Sequence, residues 1–253
     1  MIAQAAGMTD TSILFIGVVF ALAGFVKGVI GLGLPTIAMG LLAIVMPPVQ
    51  AAAILLVPSF ATNVWQMMAG PTLRKVLRRL WPMMGGVCLG TWAGLGLMTG
   101  SAARYGAMFL GFALAIYAIS GLASVRIPPP RKREKAVSLA VGAVTGLITA
   151  ATGVFVIPAV PYLQAIGFEK EELMQALGLS FTVSTLALAV NITAAGAFRS
   201  GTAFDTILAL AIACVGMWGG QSLRRRMSPP TFRRWFFIGL LALSVYLVVR
   251  SLA

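Results

Sequence analysis

Ten stretches of this chain are apolar and almost free of charge, at roughly 12–33, 34–46, 49–69, 82–100, 103–125, 136–152, 153–165, 173–197, 205–222 and 235–252. Soluble domains are about 45–50% apolar and about 25% charged, whereas here the figures are 59% and 10%. A water-soluble fold is excluded. At about 20 residues per spanning helix, ten elements and their loops use up all 253 residues and leave no room for a soluble domain. The expected fold is therefore an all-α polytopic membrane protein. Histidine is absent and the cysteines number two, Cys88 and Cys214. That removes imidazole ligands, zinc clusters and Cys/His or Ser/His/Asp chemistry, so no catalytic residue, metal or cofactor is expected. Both cysteines are expected to be packing residues beside neighbouring tryptophans. Residues 1–11 hold Asp10 but no Lys or Arg, so the charged start of a cleavable signal is missing and the first segment is expected to stay.

The segments at 34–46 and 153–165 hold 13 residues each, about 20 Å of helix against a hydrocarbon core of about 30 Å. Each follows a break, Gly31-Leu32-Gly33-Leu34-Pro35 or Ala151-Thr152-Gly153. The chain is also internally duplicated. Residues Cys88-Leu89-Gly90-Thr91-Trp92-Ala93-Gly94 match Cys214-Val215-Gly216-Met217-Trp218-Gly219-Gly220 at four of seven positions. Gln50-Ala51 with Ser59 matches Gln175-Ala176 with Ser184, and Gly24-x-x-x-Gly28 matches Gly142-x-x-x-Gly146. The halves run from 1 to 125 and from 136 to 253, joined by a basic, proline-rich linker at 126–135 that belongs in the cytoplasm.

Charge placement turns this into a topology. With five elements per half, an odd number, the second half is inverted, and 15 of the 19 Lys and Arg residues fall on the cytoplasmic side. Only Arg104, Arg199 and Arg250 lie outside, while Lys27 sits within a helix. Fusing each short piece to its predecessor gives four per half and a poorer fit to the positive-inside rule. The net charge of +13 is thus spent on orientation and contact with membrane lipids, not on nucleic acid.

Short or broken segments at matching places in inverted halves point to a binding site near the bilayer midplane. Helix starts there present unpaired N–H groups that favour an anion. The first start comprises Gly31, Gly33 and Thr36; the second comprises Thr152 and Gly153, with Thr149 one turn earlier. The plainer reading is that both breaks are kinks between close-packed helices. Lys27 is the formal charge well inside an apolar segment, and two readings stand: it meets an anion, or its stem snorkels to the cytoplasmic interface. None of the six acidic residues lies mid-segment, which argues against a cation pathway; Glu172 and Asp205 read as caps at helix starts. Asn63 and Gln66 follow the first break and Ser184 and Asn191 the second, on shared helix faces with Ser59 and Ser180. They complete the candidate substrate-binding set, although Ser and Thr also commonly join membrane helices.

The order and doubling of Gly24-Phe25-Val26-Lys27-Gly28-Val29-Ile30-Gly31-Leu32-Gly33, Gly142 to Gly146, Gly153, Pro158, Gln50-Ala51 and Gln175-Ala176-Leu177-Gly178 resemble the TauE/SafE sulfite exporter family, also called the toluene sulfonate uptake permease family. The resemblance covers nearly the whole chain. It implies a multi-pass protein of a bacterial or archaeal inner membrane that moves sulfite, sulfonates or other small organic anions. The leading expectation is a secondary transporter, acting as an exporter, in which the inverted halves alternate around one site. A passive anion channel and a permease for another small organic anion are the alternatives. Self-association is left open by the sequence.

Overall fold

The structure, a computed structural model, describes residues 10–123, 128–130, 133–196, 203–224 and 229–252. Among them every regular element is helical: α1 (Asp10–Ile30), α2 (Leu34–Leu42), α3 (Pro48–Met68), α4 (Leu73–Ala93), a 3-10 turn (Ser101–Tyr105), α5 (Gly106–Leu122), α6 (Glu134–Thr152), α7 (Ala159–Ala165), α8 (Lys170–Ala194), α9 (Ala203–Arg224) and α10 (Pro229–Leu252). Arg126, Ile127, Arg131 and Lys132 of the expected linker lie outside the described residues, as do Arg199, Arg225 and Arg226.

Among the described residues seven helices are long and apolar enough to cross a membrane: α1, α3, α5 with its leading turn, α6, α8, α9 and α10. α4 begins nine residues before the apolar stretch at 82–100 because Arg74, Lys75, Arg78 and Arg79 extend it. Long basic side chains are good helix formers and are solvated at a helix end. The outward surface is apolar, with Trp92 and Trp218 each 74% exposed. Cys88 and Cys214 are exposed on the same surface. This corrects the expectation that they are packing residues: in the repeated motif the glycines matched between the halves, Gly90, Gly94, Gly216 and Gly220, face a partner helix, and the Cys and Trp face outward.

Those glycines set the closest helix contacts. A Cβ at Gly86, Gly90, Gly142 or Gly146 would lie within 2.2 Å of a backbone oxygen across the α4/α6 contact. Gly24, Gly28, Gly216 and Gly220 play the same part between α1 and α9, within 2.3 Å. Without a hydrophobic drive between helices in lipid, such backbone approach is a main source of helix association. Both pairs run in parallel. The other two large contacts, α3 with α8 and α5 with α10, are antiparallel: Ser59 meets Thr185 while Gln66 meets Met174, and Gly111 lies by Val248 while Gly121 lies by Phe237.

The two short helices sit inside this frame. α2 has nine residues, of which all but Leu41 are buried, as irregular backbone at membrane depth requires. Gly33, its N-cap, has φ 111°, a conformation that L side chains rarely adopt. The second break differs from the expected helix start at 152–154. Gly153 closes α6 with φ 71°, Val154–Ile157 form a buried non-helical segment, and α7 begins only at Ala159 and has seven residues. Phe155 in that segment packs against Phe181 of α8, with ring centroids 5.1 Å apart and the rings tilted by 54°.

Candidate functional site

Lys27 stands in the last turn of α1, where the carbonyl end of the helix favours a cation. Its side chain does not reach the surface: the residue is 4% exposed. The ammonium donates to Thr62 Oγ1 at 3.0 Å and to Asn63 Oδ1, both on α3. Asn63 Nδ2 in turn donates to Ser59 Oγ at 3.1 Å, and the Ser59 hydroxyl lies 3.4 Å from that of Thr185 on α8. One polar chain therefore links α1, α3 and α8 through an otherwise apolar interior. Among the described residues the ion pairs are Lys75–Glu172 and Arg79–Glu134, so no carboxylate neutralises Lys27. Neutral oxygens soften the cost of burying an ammonium but supply no opposite charge.

Lys27 lines a cavity of about 390 Å³, with Gly28 and Gly31 of α1, Thr62, Trp65 and Gln66 of α3, Met174 and Gln175 of α8, and Met217 and Gln221 of α9 among its walls. Exposed Lys170, Glu171 and Gln221 form its rim, at the end of the molecule where α1, α3 and α9 finish and α8 begins. Gln66 and Gln175 tie this end together. Gln66 Nε2 donates to the Met174 carbonyl at 3.1 Å. Gln175 donates to the carbonyls of Met67 and Gly70, at 2.9 and 2.7 Å, and accepts from the Thr72 N–H at 2.9 Å. Next to them Lys75 of α4 pairs with Glu172 in the first turn of α8; the N-cap of α8 is Glu169, which corrects the expectation that Glu172 caps it. Arg79 reaches Glu134 and the Ile166 carbonyl while lying over the Phe168 ring.

Of the residues expected from sequence, the structure brings Lys27, Gly31 and Gln66 together around the cavity, with Asn63 directly behind Lys27. The others are placed elsewhere. Thr36 turns its hydroxyl back to the Gly33 carbonyl at 2.8 Å. Thr149 and Thr152 donate to carbonyls one turn earlier in α6, at 2.7 Å each, and Thr152 also accepts from the Val154 N–H. Gly153 lies against Met39 of α2, so the second break touches the first short helix. Asn191 donates to the Thr91 carbonyl of α4 at 2.7 Å. Ser184 and Ser180 are buried hydroxyls without a hydrogen-bond partner among the described residues. Thr62, Trp65, Gln175 and Gln221 line the cavity without having been in the sequence-derived set. Thr62 donates to the Pro58 carbonyl within its own helix, so its place beside Lys27 carries no signal in the sequence.

A model of the family described as sulfite exporter TauE/SafE matches residues 16–247, from the first third of α1 to the last turns of α10. The chain belongs to the TauE/SafE sulfite exporter family. Comparison with curated proteins finds no match, and comparison with solved structures finds none. As a TauE/SafE member with seven long apolar helices, the chain is a multi-pass membrane transport protein, and its cavity lies within the span covered by the family match.

Proposed function

We propose that the chain carries a small sulfur-containing anion, sulfite or an organosulfonate, out across a bacterial or archaeal inner membrane by alternating access. The anion sits in the cavity against Lys27, with Thr62, Gln66 and Gln175 as neighbouring polar groups. The observation that carries this reading is the buried Lys27 ammonium, which faces a cavity large enough for a small ligand and has neutral partners only. An anion entering there supplies the missing counter-charge in a medium where that charge is worth more than in water.

Two inverted five-element halves, 1–125 and 136–253, surround this site in the proposal. Support comes from the packing directions: the third elements of the halves, α3 and α8, run antiparallel, and so do the fifth, α5 and α10. A direct repeat would place equivalent elements parallel. Gly33 and Thr36, Thr149, Thr152 and Gly153 hold the two breaks in the conformation seen here, and Ser184 and Asn191 lie on the α8 face that moves with the second. The breaks are the points at which the halves rearrange around the anion.

The test is uptake of radiolabelled sulfite into liposomes holding the purified protein, with sulfoacetate, taurine, thiosulfate, sulfate and lactate as competitors. Saturable uptake, inhibited by one or two of these and absent from a folded Lys27→Met protein, is the expected result. Flux that rises without saturating would favour a channel, and no protein-dependent flux would overturn the transport reading.

A further inference from the structure

The basic residues that open α4 divide by helix face. Lys75 and Arg79 are ion-paired with Glu172 and Glu134, Lys75 while remaining largely exposed. Arg74 and Arg78 are exposed and form no ion pair with any described carboxylate. Both line an open depression of about 570 Å³ together with Pro71, Thr72 and Lys75, with no acidic residue among its walls. At 100° per residue, Arg74 and Arg78 fall on one stripe with Leu77, Trp81, Gly85, Leu89 and Trp92, and all of these are exposed. Trp81 is one turn below Arg78 and 60% exposed, the placement of a ring at the head-group boundary. Beneath it, a Cβ on Gly85 would meet nothing within 4 Å, so a notch opens between Trp81 and Leu89.

We propose that this stripe holds one anionic phospholipid, its phosphate on the Arg74 and Arg78 guanidiniums and an acyl chain in the notch at Gly85. Guanidinium forks suit phosphate oxygens. Two cations without carboxylate partners favour a head group of net negative charge over a zwitterionic one. The apolar notch directly below selects a phosphate that carries a chain over free inorganic phosphate. This assignment does not depend on what the protein transports.

The experiment measures thermal unfolding of the purified full chain in neutral detergent on addition of phosphatidylglycerol, phosphatidylcholine or inorganic phosphate, each separately. Phosphatidylglycerol is expected to raise the midpoint by several degrees, phosphatidylcholine by less than half as much, and phosphate not at all. Arg74→Gln/Arg78→Gln should abolish the phosphatidylglycerol increment, whereas Arg104→Gln, at the other end of the molecule, should keep it. Native mass spectrometry of Gly85→Leu, which fills the notch without changing charge, should show retained phosphatidylglycerol falling at least threefold. An undiminished increment in the double variant, an equal response to phosphatidylcholine, an equal response to phosphate alone, or full retention by Gly85→Leu would each overturn the proposal.

Discussion

A buried ammonium held by Thr62 and Asn63 is poorly compensated when the cavity is empty, and two substitutions separate that state from a merely structural lysine. Lys27→Met removes the charge and takes the donor from Thr62 Oγ1 and Asn63 Oδ1; the Thr62 hydroxyl still donates to the Pro58 carbonyl and Asn63 Nδ2 keeps Ser59, so only Asn63 Oδ1 is left without a partner. An unpaired acceptor costs about 1–3 kcal/mol, and burying an ion costs several. The unfolding midpoint of Lys27→Met should therefore hold or rise, while any rise on adding sulfite disappears; a large drop in midpoint would make Lys27 a structural tie. Asn63→Asp keeps the shape of the side chain and places a carboxylate against the ammonium. It should stabilise the empty protein and weaken anion binding by about a hundredfold, roughly 2.7 kcal/mol, measured by competition in liposome uptake. Lys27, Asn63 and Gln66 were legible in the sequence because a charge or an amide in an apolar helix is expensive without a partner. The hydroxyls were not. Thr145, Thr149, Thr152, Thr182, Thr185 and Thr193 all donate to carbonyls four residues back, so a threonine in such a helix satisfies itself and says little about ligands. Thr62 does the same toward Pro58 at 2.7 Å, and only the fold brings Lys27 to its other side.

At the scale of elements, adjacent glycines near the end of α9 give opposite expectations. Gly220 faces α1, where an added Cβ would sit 2.1 Å from the Phe25 carbonyl oxygen; Gly219 faces open space. Gly220→Ala must push two backbones apart, and the cost of forced overpacking is about 1–3 kcal/mol. Gly219→Ala should be neutral or stabilising by up to about 1 kcal/mol through helix propensity. Unfolding of the two variants in the same detergent checks the contrast, and equal effects would remove the close α1/α9 approach from the account. These contacts also explain what the sequence displayed of the elements. The paired Gly-x-x-x-Gly spacings and the Cys/Trp motif were visible because they repeat, and their matched glycines proved to form the α1/α9 and α4/α6 contact faces. The start of α7 was hidden, because Val154-Phe155-Val156-Ile157 is an apolar run that carries no helix-breaking residue of its own, while its contacts with Phe181 and, at Gly153, with Met39 join distant parts of the chain.

For the whole molecule, the proposed inversion makes one labelling pattern compulsory. The Lys75–Glu172 pair and the Gln175 hydrogen bonds to Met67, Gly70 and Thr72 put the start of α8 at the same end as the basic turns of α4. With the positive residues inside, Arg78 and Lys170 both face the cytoplasm and Arg104 faces out. If each short helix merely continued its predecessor across the membrane, Lys170 would emerge on the opposite side from Arg78. Cys88 and Cys214 lie on the outward surface, so both can be replaced by alanine to give a background for single cysteines. In intact cells a membrane-impermeant maleimide should label Arg104→Cys and leave Arg78→Cys and Lys170→Cys untouched until the membrane is opened. Labelling of Lys170→Cys without permeabilisation, with Arg78→Cys still protected, would sink the inverted arrangement. It would also turn the rim of the Lys27 cavity toward the outside, and export would then have to begin from a conformation different from this one.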